Sequence, residues 1–140
     1  MGIILDSSIL VAFERRRFDL ERLLAIHSPA AIAAITAGEL RIGVERADTP
    51  ERRARRKAFV ESIIARLPII PFDLAQARLY AIHFAELARR GAVIGDRDLQ
   101  IAVTALSLDY EVATLNVREF ERLAGLRLVD VSGYTVAVGG

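Results

Sequence analysis

The chain has 140 residues, with 19 basic and 18 acidic side chains, a formal net charge of +1, 53% hydrophobic residues and no cysteine. This apolar content excludes an intrinsically disordered chain, and the missing cysteines exclude disulfide frameworks and thiolate metal sites. The length suits one domain, which at this size buries roughly 68% of its unfolded surface.

Met1-Gly-Ile-Ile-Leu runs straight into Asp6, with no basic leader and no small-residue cleavage site. The uncharged stretch 23–38 is broken by His27, Ser28 and Pro29 and falls short of the roughly 20 apolar residues that span a bilayer. A soluble, cytoplasmic protein without a membrane partner is expected.

In chain order, Ile3-Ile4-Leu5 reads as a buried parallel strand ended by Asp6. "SSILVAF" opens a helix, and "FDLERLLAI" a second, with Asp19 as its cap. Residues 30–35, "AAIAAI", predict a second strand, and Thr36-Ala-Gly-Glu39 the start of the next helix. Thr49-Pro50 marks a further start, with threonine as N-cap and proline at the first helical position. Pro68-Ile-Ile-Pro71 is a third strand, after which Asp73 caps a long helix reaching about Arg90. Residues 91–95 form a loop, "DLQIAVTALSL" a helix, "VATL" a fourth strand, "VREFERL" a short helix and "RLVDV" a fifth strand. The expected architecture is a three-layer α/β/α domain over residues 1–132 with a mainly parallel five-stranded sheet. Residues 133–140, "GYTVAVGG", form a tail that the pattern does not place.

Polar residues recur where strands end and helices begin: Asp6, Glu39, the pair Asp96 and Asp98, and Asn116. Each has a plain reading as a cap. Asp6 precedes a helix, Thr36-x-x-Glu39 and Asn116-x-x-Glu119 have the form of capping boxes, and Asp96 follows Gly95 as a natural N-cap. Together they read differently. In a parallel sheet all of them face one edge, and carboxylates 5 Å apart repel by roughly 3 kcal/mol per pair at an effective dielectric near 20. Serine or threonine would cap without that cost. A divalent cation removes the repulsion, and hard oxygen ligands select Mg²⁺ or Mn²⁺. Such ions activate water and steady leaving oxygens in phosphodiester cleavage.

The ordered set "IILDSSIL", "ITAGELRIGV", "DRDLQIAVTAL" and "ATLNVREF" resembles the PIN-domain nucleases, and within them the VapC-type toxins of bacterial toxin–antitoxin pairs. The resemblance covers nearly the whole chain, Ile3 to about Val131. It implies a Mg²⁺-dependent endoribonuclease, with Mn²⁺ as a substitute, that cuts tRNA or ribosomal RNA by metal-activated water. It also implies silencing by a cognate antitoxin, and a homodimer. Asp6 and Asp98 match the family's principal metal-binding aspartates, Glu39 its glutamate, and Asn116 its fourth polar position, where many members carry aspartate. Asp96, two residues before the main aspartate, is expected to be the N-cap and a supporting acid. Ser8 stands where asparagine is frequent, and its hydroxyl is expected to bond Asp6 or a metal-bound water. With Glu39, Asp96 and Asn116 in catalytic roles, Ser8 and Arg97 are the expected substrate contacts. The uncharged Asn116 leaves open a rival: a non-catalytic RNA-binding or dimerisation module with a degraded site.

Eighteen of the nineteen basic residues are arginine, and Lys57 is the only lysine. "RRR" at 15–17 and "RRARRK" at 52–57 suit phosphate contacts, but they equally suit a solvated face or an acidic partner. His27 and His83 have no metal-like spacing, which argues against a histidine-based ribonuclease.

Overall fold

The computed structural model describes residues 1–137. Four strands run parallel in the order β3-β2-β1-β4: β1 Ile3–Leu5, β2 Ala30–Ala33, β3 Ile69–Ile70 and β4 Glu111–Ala113. Alternate residues of β1 face opposite ways. Ile3 and Leu5 join a core with helices α1 Ser7–Glu14, α2 Leu20–Ile26, α3 Ala34–Glu45 and α4 Pro50–Arg66. Ile4 joins a second core with α5 Leu74–Arg89, α6 Asp96–Leu108 and α7 Val117–Glu121. Both faces of the sheet are therefore covered, which is why β1, β2 and β3 read as unbroken apolar runs.

Local signals fix several helix starts. The Thr49 hydroxyl accepts from the Arg52 amide at 3.1 Å, ahead of Pro50. Asp73 and Gln76 close a reciprocal capping box on α5. The Asp19 carboxylate accepts from the Arg22 amide at 3.1 Å. No helix in the described residues is long and apolar enough to cross a membrane.

The sheet has four strands rather than the expected five. "RLVDV" pairs with β4 only around Leu128, through an isolated parallel bridge to Val112. Immediately beyond, Asp130 Oδ1 accepts from both the amide and the hydroxyl of Ser132, at 3.0 and 2.7 Å. That side-chain turn takes the chain out of the ladder. The next residues, Ser132–Tyr134, make a 3₁₀ turn. Tyr134 is buried, packing against Phe18 and lying under the Arg22 guanidinium. Residues 138–140 of the expected tail lie outside the described residues.

The chain passes outward from β1 to β2 to β3, then returns to the other side of β1 with β4. The order reverses between β1 and β4, and parallel sheets open a crevice at the carboxyl ends of the strands at such a reversal.

Candidate active site

Asp6 stands at that crevice, directly after β1. Its amide continues the ladder by donating to the Ala113 carbonyl at 2.9 Å. The residue is only 2% exposed, and a carboxylate this buried needs donors. Two hydroxyls supply them: Ser8 Oγ donates to Asp6 Oδ2 at 2.7 Å, and Thr114 Oγ1 donates to the same oxygen at 2.8 Å. Each hydroxyl also accepts an amide of the turn after β4. The Leu115 amide donates to Ser8 Oγ at 3.0 Å, and the Asn116 amide to Thr114 Oγ1 at 2.9 Å. The Asp6 carboxylate thereby fixes the turn that carries Asn116. Thr114 escapes a reading based on acids and motifs, although a hydroxyl just past an apolar strand is the signal for it.

Glu39 and Asp98 complete an acidic group with Asp6. Burial first, then the charge of Asp6, holds the Glu39 carboxyl above the ordinary range, partly offset by Arg97 and raised again by Asp98. Asp98 is raised by burial, by Asp6 and by Glu119. The charge of Asp6 contributes to the rise of both carboxyls. Glu119, on α7, is a further acid at this edge whose sequence form resembled only a capping residue. Arg97 Nη1 lies 3.6 Å from Glu39 Oε2 and is the cation that meets this group.

The capping alternatives are not the ones found. Helix α3 begins at Ala34 with Ala33 as its N-cap, which places Thr36 inside the first turn and Glu39 a turn further on. Asn116 does precede α7, but its side chain makes no capping bond, and Glu119 pairs with Arg122 at 3.4 Å. The N-cap of α6 is Gly95, not Asp96. Asp96 is the first helical residue, and its carboxylate accepts from the Tyr80 hydroxyl and from Gln100 Nε2. Asp98, on the same turn, is half-buried and turned to the acidic group.

The donor set fits a hard divalent cation held largely through water. Among the described residues, no three acidic or imidazole side chains converge tightly enough to hold an ion unaided. Mg²⁺ typically keeps several waters and takes only one or two carboxylates. Both hydroxyl bonds to Asp6 fall on Oδ2, and neither on Oδ1.

The PIN-domain family model matches residues 3–126. The chain belongs to the PIN-domain family. It is 35% identical to the Ribonuclease VapC1 of Rickettsia felis, across 94% of this chain and 98% of that protein. It is 35% identical to the tRNA(fMet)-specific endonuclease VapC of Shigella flexneri, across 94% and 99%. Among solved structures, the DNA-bound VapBC of Salmonella typhimurium superposes with a TM-score of 0.83 at 33% identity, covering 93% of this chain and 98% of that one. VapBC2 of Rickettsia felis, bound to a promoter DNA fragment, gives 0.82 at 28% identity, covering 92% and 98%.

A cleft of about 340 Å³ runs from this acidic edge between α1, α3 and α4. Glu39 and Arg97 line it near the acids, Arg46 and Arg56 line it further along, and Leu40 and Phe59 are among its apolar contacts. Of the 52–57 cluster only Arg56 reaches this cleft, donating to the Gly43 carbonyl at 3.1 Å. Arg52 pairs with Asp48 at 2.9 Å.

Proposed function

We propose that the chain is a VapC-type toxin, an endoribonuclease that depends on Mg²⁺ and hydrolyses RNA phosphodiester bonds. The observation that carries this is Asp6, a carboxylate buried at the topological switch point with two hydroxyls on one oxygen, facing the raised carboxyls of Glu39 and Asp98. Relatives named ribonuclease and tRNA(fMet)-specific endonuclease along nearly the full length support the same reading.

Asp6 and Asp98 would hold the cation, with Glu39 acting directly or through water. When bound, Mg²⁺ supplies charge neutralisation and activation of water for attack at phosphorus. Ser8 and Thr114 keep the Asp6 carboxylate in one orientation before any cation arrives. Asn116, held by its amide, offers an uncharged side chain beside the reacting phosphate. Arg97 neutralises Glu39 and is free to turn to a phosphate oxygen. Glu119 supplies the acid that Asn116 lacks, which weakens the case for a degraded site.

We further assign the cleft between α1, α3 and α4 to an inhibitory partner, the cognate antitoxin. Its apolar floor, flanking arginines and Glu39 suit a mixed apolar and charged peptide segment, and the structural neighbours are toxin–antitoxin complexes. Purified protein should cleave RNA with Mg²⁺ or Mn²⁺ and stop in EDTA, and Asp6→Asn should lower the rate at least a hundredfold. Undiminished cleavage in EDTA, or by that variant, would refute the metal site.

A further inference from the structure

A second cleft, of about 600 Å³, lies on the other side of α1 from the first. It is bounded by Ser7, Ser8, Arg15, Arg17, Asn116 and Thr135. Ser7, Val11 and Arg15 line both clefts. These residues are spaced four apart, so they form one stripe along α1 and make the ridge between the clefts.

We propose that this second cleft is the track for the RNA strand flanking the cut bond, with Arg15 and Arg17 as its phosphate contacts. The assignment rests on the reading of the chain as an RNA-cutting enzyme. Three independent observations carry it. The first is charge. Among the described residues no carboxylate lines this cleft, whereas Glu14 and Glu39 line the first. Neither Arg15 nor Arg17 pairs with an acid among the described residues, and both are exposed. A polyanion that must approach an acidic edge needs such free cations, since phosphate contacts supply most of the affinity.

The second is continuity. Ser8, which lines the cleft, donates to Asp6, and Asn116 sits on the turn that Asp6 fixes. A strand lying in the cleft therefore runs directly to the acidic group. Arg15 is eight residues along α1 from Ser7, a rise of about 12 Å, which puts it beyond the reacting phosphate.

The third is the fixed backbone that presents the arginines. The Arg16 amide donates to the Phe13 carbonyl at 3.0 Å and the Arg17 amide to the Ala12 carbonyl at 2.8 Å, the paired bonds of a Schellman stop. Its left-handed position is normally glycine, yet here it is Arg16, at φ 60°. Beyond it, the Val136 amide donates to the Arg17 carbonyl at 2.9 Å, and Phe18 bridges to Thr135. Both flanks of Arg17 are tied down, so little backbone entropy is lost when a phosphate binds.

The test is RNA affinity measured apart from cleavage, by fluorescence anisotropy of a labelled single-stranded RNA with the wild-type chain in EDTA, across a range of KCl concentrations. The Arg15→Gln/Arg17→Gln double variant should bind at least tenfold more weakly. The slope of log affinity against log salt should fall by about 1.4, or about 0.7 for each lost contact. Arg15→Lys/Arg17→Lys should restore most of the slope, which separates lost charge from lost fold. Arg46→Gln/Arg56→Gln, in the first cleft, should change affinity less than twofold. The proposal falls if the first pair leaves RNA affinity unchanged, if the second pair carries the loss, or if the first pair weakens only capture of the inhibitory partner. A wild-type chain that binds RNA through Arg15 and Arg17 without cutting it in Mg²⁺ would overturn the nuclease reading while leaving the two arginines as phosphate contacts. Cleavage insensitive to both arginines would do the reverse.

Discussion

The two clefts beside α1 share one ridge, Ser7, Val11 and Arg15, and differ in what faces it. The first is floored by apolar side chains of α3 and α4 and contains carboxylates. The second is as apolar, through Val11, Ala12, Leu115 and Val136, but among its described lining residues it has arginines, hydroxyls and an amide and no carboxylate. Both reach the acidic edge, the first through Glu39 and Arg97 and the second through Ser8 and Asn116. Net positive charge alone does not distinguish an RNA track from a protein groove. Cations with no carboxylate beside them favour phosphate, while cations interleaved with carboxylates favour a peptide that carries both charges.

The sharpest test lies where the clefts meet. Asp98→Asn should lower cleavage at least a hundredfold, whereas Asp96→Asn should cost less than fivefold, because the two oxygens of Asp96 accept from Tyr80 and Gln100 and an asparagine oxygen keeps one of these bonds. Equal losses, measured as initial rates on one RNA, would show that the two aspartates of the α6 turn share a role. Next in size, Arg56→Glu should weaken capture of the inhibitory partner at least tenfold by titration while changing RNA affinity less than twofold. An equal loss of both would merge the clefts into one surface.

Stability should report the acidic edge itself. Glu39 and Asp98 are both held above the ordinary carboxylate range, mainly by burial and by Asp6. Raised acids make the folded chain bind protons more readily than the unfolded one. In EDTA, Tm should therefore rise as pH falls from neutral through their folded values, with this gain complete near the ordinary value of about 4. Glu21, lowered by its fork to Arg66, works in the opposite sense, and its contribution is lost at still lower pH. Asp98→Asn should remove part of the pH-dependent gain and raise Tm in EDTA at neutral pH by a few degrees, or about 1 kcal/mol of relieved repulsion. A flat profile would mean that the acids do not interact. The smallest effect belongs to the second cleft's margin. Arg16→Gly should stabilise the chain by about 0.5–1 kcal/mol, since glycine is at ease where φ is positive, and thermal melts should show it without loss of RNA affinity.

Much of this was legible in the sequence because its signals are local. Thr49-Pro50 and Asp73 announce helix starts within a few residues, and the apolar run before Asp6 announces a strand end. What was not legible depends on distance or on neutral composition. "AAIAAI" carries no strong preference, so nothing in it places the helix start at Ala34, and that two-residue shift removes Thr36 from the cap. Gly95 and Asp96 both suit an N-cap. The choice was settled by Tyr80, which reaches Asp96 from sixteen residues away on α5. Thr114 bonds Asp6 across 108 positions, a pairing that only the order of the strands reveals.

Arg97 has one further consequence. A freshly made chain brings mutually repelling carboxylates to one edge before any ion has reached them, and the guanidinium beside Glu39 is a counter-charge carried on the neighbouring helix. Folding therefore need not wait for metal supply, whatever the divalent-ion level at the moment of synthesis.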